Sequence, residues 1–272
     1  MAPTGRGGFR LARLARRALP KEQWQGQFHT PDGLWLRLDL GTYPDCCMAF
    51  GLYELDTARL IRRLLKPGGW FADCGANIGY FTLLAARRVG PEGRVDAFEP
   101  DPINRRRLEQ HLAENAPLPQ VRIHPVAVGA QAATTELFHP NAGATNHGTA
   151  STYRSLTADA TDVSVFPIDV ARMEDELGGV PDVIKLDVEG AELAAIEGAS
   201  DLLSSEKPPA LIVEHNPATA AAAGYPPSEI MCRLQTVQPR YRLFEIGWRL
   251  RAIASPHHLD ALPRECNLLA IV

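Results

Sequence analysis

The chain of 272 residues lacks several features that mark familiar classes of protein. No apolar run approaches the roughly 20 residues of a membrane-spanning helix, and no unbroken apolar core of a signal peptide occurs. The five cysteines form no CxxC pair, and their odd number leaves one unpaired. This pattern fits a reducing compartment better than a secreted disulfide framework, so we expect a cytoplasmic protein without a transmembrane segment.

The sequence also lacks an excess of positive charge. Its net charge is −4 and its isoelectric point is about 6.1, so nothing electrostatic recruits a nucleic-acid backbone and no nucleic-acid partner is expected. Hydrophobic residues make up 45% of the chain, which suffices for a globular protein with a sizeable core. The sequence leaves the oligomeric state open, including a homo-oligomer.

The first 50 residues are expected to form an N-terminal helix and β-hairpin extension, ahead of a main domain spanning 51–272. Arginines at positions 6, 10, 13, 16 and 17 are interleaved with Phe9 and leucines, as in a basic amphipathic helix. Such a helix can bind a membrane or a partner protein. It can also be an N-terminal helix that is solvated or partly docked on the rest of the chain, and we favour this second interpretation. Residues 34–40 alternate leucine with Trp, Arg and Asp, which indicates a strand with one buried face.

From residue 70 onward, short apolar strands alternate with helices. Strands are predicted at residues 70–74, 94–98, 121–128, 182–186, 210–213, 241–246 and 267–272. Helices are predicted at residues 80–88, from Asp101 onward, along a stretch with Leu193, Ile196 and Leu203 in register, and at 228–237. These repeated units predict an α/β fold with a doubly wound, mostly parallel seven-stranded sheet. An insertion at about 132–170, with a β-hairpin at 134–138 and 163–168 and a Gly-rich loop between, separates strands three and four.

A glycine-rich turn comes directly after the first of these strands. It reads Asp73-Cys-Gly75-Ala-Asn77-Ile-Gly79, whereas a dinucleotide turn has the pattern G-x-G-x-x-G. Asn77 stands where that pattern has glycine, and asparagine tolerates the left-handed conformation such a turn needs. A carboxylate at Asp73 would repel a pyrophosphate but suits a ligand that carries an ammonium group. S-adenosylmethionine carries one and has no phosphate.

The second predicted strand ends in Glu99, 24 residues after Gly75. An acidic side chain at this place can bind both ribose hydroxyls of a nucleoside. Enzymes that use NAD share this feature, so Glu99 by itself does not discriminate between the two ligands. Together with Asp73, it indicates S-adenosylmethionine.

Several motifs of the chain resemble one family closely. They are GLYE from Gly51, LKPGG, DCGANIGYFTLLAA, GRVDAFEPDPIN, a VAVG strand end, VIKLDVEGAE and GASDLL. Over about residues 50–216 the sequence resembles the FkbM-type methyltransferases. The resemblance implies a class I methyltransferase (Rossmann-like) fold and S-adenosylmethionine-dependent O-methylation of a small-molecule hydroxyl, as in sugars, polyketides and other natural products. The residues expected at the cofactor are Glu54, Asp73, Gly75, Ala76, Asn77, Gly79, Glu99, Pro100, Ala127 and Asp187.

The residues after the fourth strand predict the type of acceptor atom. The [DN]-P-P-[YF] clamp of many enzymes that methylate amino groups on bases is missing there, and Asp187, Glu189 and Glu192 occupy the place. Carboxylates suit a hydroxyl acceptor, which has to lose a proton. Glu189 and Glu192 have a second interpretation as caps of the helix that begins near Gly190.

Candidate catalytic residues also lie at the end of the fifth strand, at Glu214, His215 and Asn216. We expect Asp187, Glu214 and His215 to be catalytic, with His215 or Asp187 taking the proton directly. An alternative in which Asp187, Glu214 and Asn216 bind Mg²⁺ is weighed and not favoured. The expected substrate-binding residues are Tyr53, His147, Ser151 and Glu189.

Two other functions remain open at this point. An NAD-type oxidoreductase would share Glu99, although Asp73 and the short spacing from Gly75 to Gly79 count against it. A non-catalytic S-adenosylmethionine-binding protein would keep the turn but lose acid and base residues after strands four and five. The presence of Asp187, Glu214 and His215 favours an enzyme.

Overall fold

The computed structural model describes residues 6–141, 150–157 and 162–272. Its strands are β1 (Gln25–His29), β2 (Trp35–Asp39), β3 (Trp70–Cys74), β4 (Arg94–Phe98), β5 (Val121–His124), β6 (Ala127–Val128), β7 (Ala133–Pro140), β8 (Val163–Ala171), β9 (Val183–Leu186), β10 (Ala210–His215), β11 (Arg242–Glu245), β12 (Arg251–Ala252) and β13 (Cys266–Ile271). Its α-helices are α1 (Arg6–Arg16), α2 (Asp45–Ala49), α3 (Leu55–Leu64), α4 (Tyr80–Val89), α5 (Pro102–Glu114), α6 (Met173–Leu177), α7 (Glu192–Glu197), α8 (Ser200–Leu203), α9 (Pro217–Ala223), α10 (Ser228–Val237) and α11 (Pro256–Asp260).

The central sheet has the order β12-β11-β13-β10-β9-β3-β4-β5. Strands β5, β4, β3, β9 and β10 pair in parallel, whereas β13 runs antiparallel to β10 and β11. The strand order reverses after β3, so the carboxyl ends of β3 and β9 open the crevice where ligands bind in such sheets. The predicted doubly wound, class I methyltransferase-like sheet is confirmed, with the two-residue β12 added as an eighth strand.

Two predicted elements are divided in the structure. The third predicted strand ends at His124, and residues 127–128 pair instead with β8 in a three-stranded sheet. Pro125 lies at the break, and proline has no N–H to donate to a ladder. The helix expected from Leu193 to Leu203 is interrupted at Gly198, where a Cβ would lie 1.9 Å from the carbonyl oxygen of Gly129. Helical periodicity in the sequence does not reveal this close approach of two backbone segments.

Both faces of the central sheet are covered. Along β3, Phe71 packs into one buried cluster and Ala72 into the other, as alternation along a strand requires. Leu34, Leu36 and Leu38 of the N-terminal hairpin join the cluster that contains Phe71. The hairpin therefore covers one face of the sheet beneath the crevice.

The N-terminal helix α1 lies against α2. Phe9 and Ala12 pack on Cys46 and Cys47 of α2, while Leu11 and Leu14 on α1 are exposed. Among the described residues, no helix has the length and hydrophobicity that a membrane span requires. The predicted division between an extension and a main domain at residue 50 stays a prediction.

The insertion contains the predicted β-hairpin. Strands β7 and β8 pair antiparallel from Ala133 opposite Val170 to Pro140 opposite Val163. His139 on β7 is buried, and its Nδ1 lies 2.5 Å from Oδ2 of Asp101, the N-cap of α5. This contact fixes the hairpin beside the loop that begins at Glu99.

Candidate functional site

The glycine-rich turn connects β3 to α4 with three left-handed residues. Gly75 has φ +80°, Asn77 has φ 52° and Gly79 has φ +90°, so the left-handed conformation expected of Asn77 is present. A Cβ on Gly75 would lie 1.8 Å from the carbonyl oxygen of Asp187. Because that oxygen belongs to the backbone, only glycine lets the turn approach the end of β9 this closely.

A cavity of about 1850 Å³ opens above the carboxyl ends of the parallel strands. The turn contributes Gly75, Ala76 and Asn77 to its wall, and the loop after β4 contributes Glu99 and Pro100. Ala127 lies on the wall as well. These are six of the residues predicted to bind the cofactor, and the structure brings them to one side of the cavity.

Glu99 ties the second strand to the turn. Its Oε2 accepts a hydrogen bond from the backbone N–H of Asn77 at 2.6 Å, and its Oε1 accepts one from the backbone N–H of Asp101 at 2.9 Å. Burial raises the pKa of Glu99 to about 8. The carboxyl group thus faces the cavity from a low-dielectric position, where a hydrogen bond to a ligand is strengthened.

Asp73 lies behind the turn, and the residues lining the cavity do not include it. Its Oδ2 accepts a hydrogen bond from the Thr82 hydroxyl at 2.6 Å, and only 1% of the residue is exposed. Burial raises the pKa of Asp73, and Lys185 and Thr82 oppose that shift. In this structure Asp73 supports the start of α4, so its predicted contact with an ammonium group stays a prediction.

Lys185 is a site residue that the sequence analysis missed. It lies on β9 with 2% of its side chain exposed, and its Nζ is 2.5 Å from Oδ2 of Asp187. Although burial lowers the pKa of Lys185, the carboxylates of Asp187, Glu54 and Asp73 raise it above its ordinary value. A lysine inside the apolar run VIKL was the available signal, because buried lysines are rare unless paired.

Glu54 approaches the same ammonium group from the start of α3. Its backbone is left-handed, with φ 37°, and its Oε2 accepts a hydrogen bond from the Asn267 side chain at 2.6 Å. Burial raises the pKa of Glu54, Lys185 lowers it and Asp187 raises it. The predicted neighbour Tyr53 also lines the cavity, with its ring centroid 5.3 Å from that of Tyr80. A strained non-glycine residue among charged groups is typical of a functional site.

Comparison with known proteins supports the family indicated by these motifs. The family model described as "Methyltransferase FkbM domain" matches residues 73–245, which is more than half of the chain. The chain belongs to the FkbM methyltransferase family.

Individual relatives share part of their length with it. Methyltransferase 1 of Beauveria bassiana (strain ARSEF 2860) is 30% identical over 152 residues, which cover 48% of this chain and 59% of that protein. Methyltransferase sdnD of Sordaria araneosa is 30% identical over 163 residues, covering 50% and 62%. The chain therefore spans less than two thirds of either relative. The crystal structure of Methyltransferase FkbM from Methylobacillus flagellatus KT aligns with TM-score 0.49 and 18% identity over 79% of this chain and 50% of that one.

Carboxylates directly after β9 and near the end of β10 also line the cavity of this FkbM methyltransferase. Glu189 has a left-handed backbone with φ 51°, and burial, with the charge of Asp187, raises its pKa well above the ordinary value. The pKa of Glu214 is raised the same way by burial and by Asp187, Glu189 and further carboxylates. Oε2 of Glu214 is buried and has no hydrogen-bond partner among the described residues.

Glu192 takes the capping role that the sequence left open. Its Oε1 accepts hydrogen bonds from the backbone of Val188 at 3.0 Å and of Gly190 at 3.3 Å, and its Oε2 accepts one from the Tyr225 hydroxyl at 3.1 Å. Ser151, predicted to bind substrate, lines the cavity and donates to the carbonyl oxygen of Glu189 at 3.0 Å. Predicted residue His147 lies outside the described residues.

His215 is placed differently from the expectation. Side chains alternate along β10, so Glu214 lines the cavity and His215 points away from it. The His215 Nε2 lies 3.3 Å from the carbonyl oxygen of Leu262, and burial lowers the pKa of the ring. This placement argues against His215 as the base. Asn216 lines the cavity, but its Oδ1 accepts from the backbone N–H of Ala218 at 3.0 Å as the N-cap of α9.

The hairpin that joins β11 to β12 is a second part of the site that was not predicted from the sequence. Its residues 246–251 line the cavity, and Trp248 is 70% exposed. The Arg59 guanidinium lies 5.3 Å from the Trp248 ring. No motif surrounds this tryptophan, so only the pairing of β11 with β12 reveals its place at the site.

Proposed function

We propose that this FkbM-family protein is an S-adenosylmethionine-dependent O-methyltransferase that acts on a hydroxyl of a small molecule such as a sugar or natural product. The observation that carries the proposal is the side chain of Glu214. Its Oε2 is buried and has no hydrogen-bond partner among the described residues. The side chain also lies on the cavity wall, on the strand next to the one that Asp187 follows.

The residues at the turn fit S-adenosylmethionine. The close approach of Gly75 to Asp187 leaves the backbone of Ala76 and Asn77 on the cavity wall. Glu99 stands at the end of β4, where an acidic side chain binds ribose hydroxyls. A wall that is rich in carboxylates disfavours the pyrophosphate of NAD and suits a positively charged ligand. The cavity of about 1850 Å³ is large enough for the cofactor and an acceptor together, since single-ligand pockets occupy roughly 300–1,000 Å³.

When bound, S-adenosylmethionine would supply an electrophilic methyl carbon on a sulfonium group, which leaves as a neutral thioether. The chain has to orient the acceptor hydroxyl and take its proton. Glu214 suits the base because its buried Oε2 on the cavity wall has no hydrogen-bond partner among the described residues. Burial raises the pKa of Glu214, and the positive charge of the bound cofactor would favour the ionised form that accepts the proton. Asp187 is held in place by Lys185, whose Nζ lies 2.5 Å from its Oδ2. The carboxylate of Asp187 would accept a hydrogen bond from the substrate hydroxyl and so orient it.

The magnesium alternative fits the residues poorly. Within the described ranges no three His, Cys, Asp or Glu side chains are grouped so that they could hold a metal ion. Asn216 Oδ1 already accepts hydrogen bonds from the backbone N–H groups of Ala218 and Thr219, so a cation would have to displace a helix cap. We therefore propose direct proton transfer to a carboxylate, and turnover should be unchanged in EDTA.

The test of the function is the activity of Glu214→Gln and Asp187→Asn on hydroxyl acceptors. Both should lose at least about a hundredfold in kcat, the scale of general-base catalysis, and Glu214→Gln should bind S-adenosylhomocysteine with an affinity close to that of the wild type. Glu109→Gln, on the exposed face of α5, is the matched control. Full activity of Glu214→Gln would overturn the assignment of the base. Tighter binding of NADH than of S-adenosylhomocysteine would overturn the function.

A further inference from the structure

The negative charge of the cavity wall is compensated unevenly. At the β11–β12 hairpin, Glu245 lies 2.6 Å from Arg264 and 3.8 Å from Arg251. Asp187 has the ammonium group of Lys185. Glu189 and Glu214 form no ion pair with any basic side chain in the parts of the chain that the structure describes, although both line the cavity.

The backbone at Glu189 is held in place by hydrogen bonds on both sides. Its carbonyl oxygen accepts the Ser151 hydroxyl, and Glu192 holds the flanking backbone N–H groups of Val188 and Gly190. These bonds maintain a left-handed φ of 51° at a residue that has a Cβ. Glu189 thus lies on the cavity wall, as does Glu214, whose buried Oε2 has no hydrogen-bond partner among the described residues.

A metal ion does not account for this arrangement, because the described carboxylates are not grouped to hold one. Carboxylate oxygens that are spread around the cavity suit an organic ammonium group, because that group carries three N–H donors. The charge of the cofactor is also an insufficient explanation. Bound S-adenosylmethionine would bring one net positive charge and could compensate only one of these two carboxylates. Glu214, at the end of β10, lies one strand farther from the turn after β3 than Glu189 does.

We propose that the acceptor carries a protonated amino group in addition to its reacting hydroxyl, and that Glu189 recognises this ammonium group. The inference rests on the proposed O-methyltransferase function and narrows its substrate class to amino alcohols and amino sugars. Glu189 binds the ammonium group, and Glu214 remains free to take the hydroxyl proton. The O–H bond breaks as the proton moves to Glu214, and the electron pair on oxygen forms the bond to the methyl carbon. The bond from that carbon to the sulfonium sulfur would break, with its electron pair staying on the neutral thioether.

The experiment uses matched pairs of acceptors that differ only in the charge on nitrogen. Tyramine is compared with N-acetyltyramine, glucosamine with N-acetylglucosamine, and ethanolamine with N-acetylethanolamine. Binding to the full chain is measured by calorimetry in the presence of S-adenosylhomocysteine, and methyl transfer is measured separately with S-adenosylmethionine. We expect the charged member of at least one pair to bind about tenfold more tightly or more.

The variant Glu189→Gln keeps the shape of the side chain at the same left-handed position and removes its charge. It should abolish the preference for the amine, raising KM at least about tenfold with kcat within about twofold of the wild type. Glu109→Gln on the surface of α5 should leave the preference intact. Recovery of the preference in Glu189→Asp would separate recognition of charge from a loss of folding.

The possible outcomes distinguish a failure of the ammonium site from a failure of the proposed O-methyltransferase function. Equal binding of both members of every pair, including no binding by either, would overturn the ammonium site. If neutral hydroxyl compounds are then methylated on oxygen, the proposed function stands without it. A clear preference for the amines that disappears in Glu189→Gln, with no methyl transfer to oxygen, would support the ammonium site and overturn the O-methyltransferase.

Discussion

The Nζ of Lys185 lies 2.5 Å from Oδ2 of Asp187, and the lysine is buried while the aspartate is partly open to the cavity. The pair joins the middle of β9 to the residue directly after the strand. Lys185 also balances the charges of Glu54 and Asp73. The negative charges of Asp187, Glu54 and Asp73 together raise the pKa of Lys185. One buried cation therefore holds three carboxylates that reach it from three different elements.

Removing this cation should destabilise the fold and the site together. Lys185→Met leaves Asp187 and its neighbours without a counter-charge, which for a broken buried pair costs about 3–5 kcal/mol. We expect a loss toward the lower end of this range, because Asp187 is 23% exposed. Unfolding by urea measures it, with the exposed Lys207→Met as control. A loss no larger than that of the control would show that the pair does not stabilise the fold.

Gly75→Ala should disrupt the site through contact with the backbone. A Cβ there would lie 1.8 Å from the Asp187 carbonyl oxygen, in addition to adopting a φ of +80°. Gly68→Ala is a matched control, because Gly68 has φ +77° and nothing within 4 Å of its Cβ position. The control should lose only the roughly 1–2 kcal/mol of a left-handed alanine. Gly75→Ala should lose clearly more, and with it the binding of S-adenosylhomocysteine. Equal losses would exclude the clash as the cause.

Glu99 should make the stability depend on pH. Its folded pKa of about 8 lies above the ordinary value of 4.5, so the folded state binds the proton more tightly than the unfolded state. The stabilisation is complete below the unfolded pKa and is lost as the pH rises through the folded pKa. Between about pH 5 and pH 8 the wild type should lose stability more steeply than Glu99→Gln, by roughly a few kcal/mol at most. Denaturant titrations at both pH values measure the slopes, and parallel slopes would contradict the assignment.

Trp248 should contribute to the binding of the acceptor and not to the binding of the cofactor. The ring lines the cavity and is 70% exposed, so a bound acceptor would bury a large aromatic surface. Trp248→Ala should raise the KM for the acceptor about tenfold and leave the affinity for S-adenosylhomocysteine unchanged. Trp35→Ala, exposed on β2, is the control. A change in cofactor affinity with no change in acceptor KM would place Trp248 at the wrong ligand.

The fold and the conformation of the glycine-rich turn could be predicted from local sequence. Alternating strands and helices fix the parallel sheet, and the left-handed turn at Gly75, Asn77 and Gly79 depends on residues that lie together in the chain. The helix predicted from Asp101 onward is α5, and Asp101 caps it, because its carboxylate accepts a hydrogen bond from the N–H of Ile103 at 2.8 Å. These features depend mainly on neighbouring residues, although the close approach of Asp187 to Gly75 is a tertiary contact.

The acceptor side could be predicted only in part, because it depends on contacts between distant segments. The choice between Glu214 and His215 depends on which face of β10 meets the cavity, and the sequence shows alternation without showing its direction. Glu54 and Asn267 meet across most of the chain, at 2.6 Å. Trp248 reaches the cavity through the pairing of β11 with β12. A polar residue in an apolar strand, such as Lys185, was the one local signal left unused.

The most direct test of the proposed function is the position of the transferred methyl group. The protein is incubated with S-adenosylmethionine labelled with ¹³C in the methyl group and with the matched pairs of amino and N-acetyl acceptors, and the product is identified by NMR. We predict a labelled methyl group on oxygen with the wild type and with Glu109→Gln, and at least about a hundredfold slower labelling of oxygen with Glu214→Gln. A label on nitrogen or carbon, or oxygen methylation by Glu214→Gln at the rate of the wild type, would contradict the account.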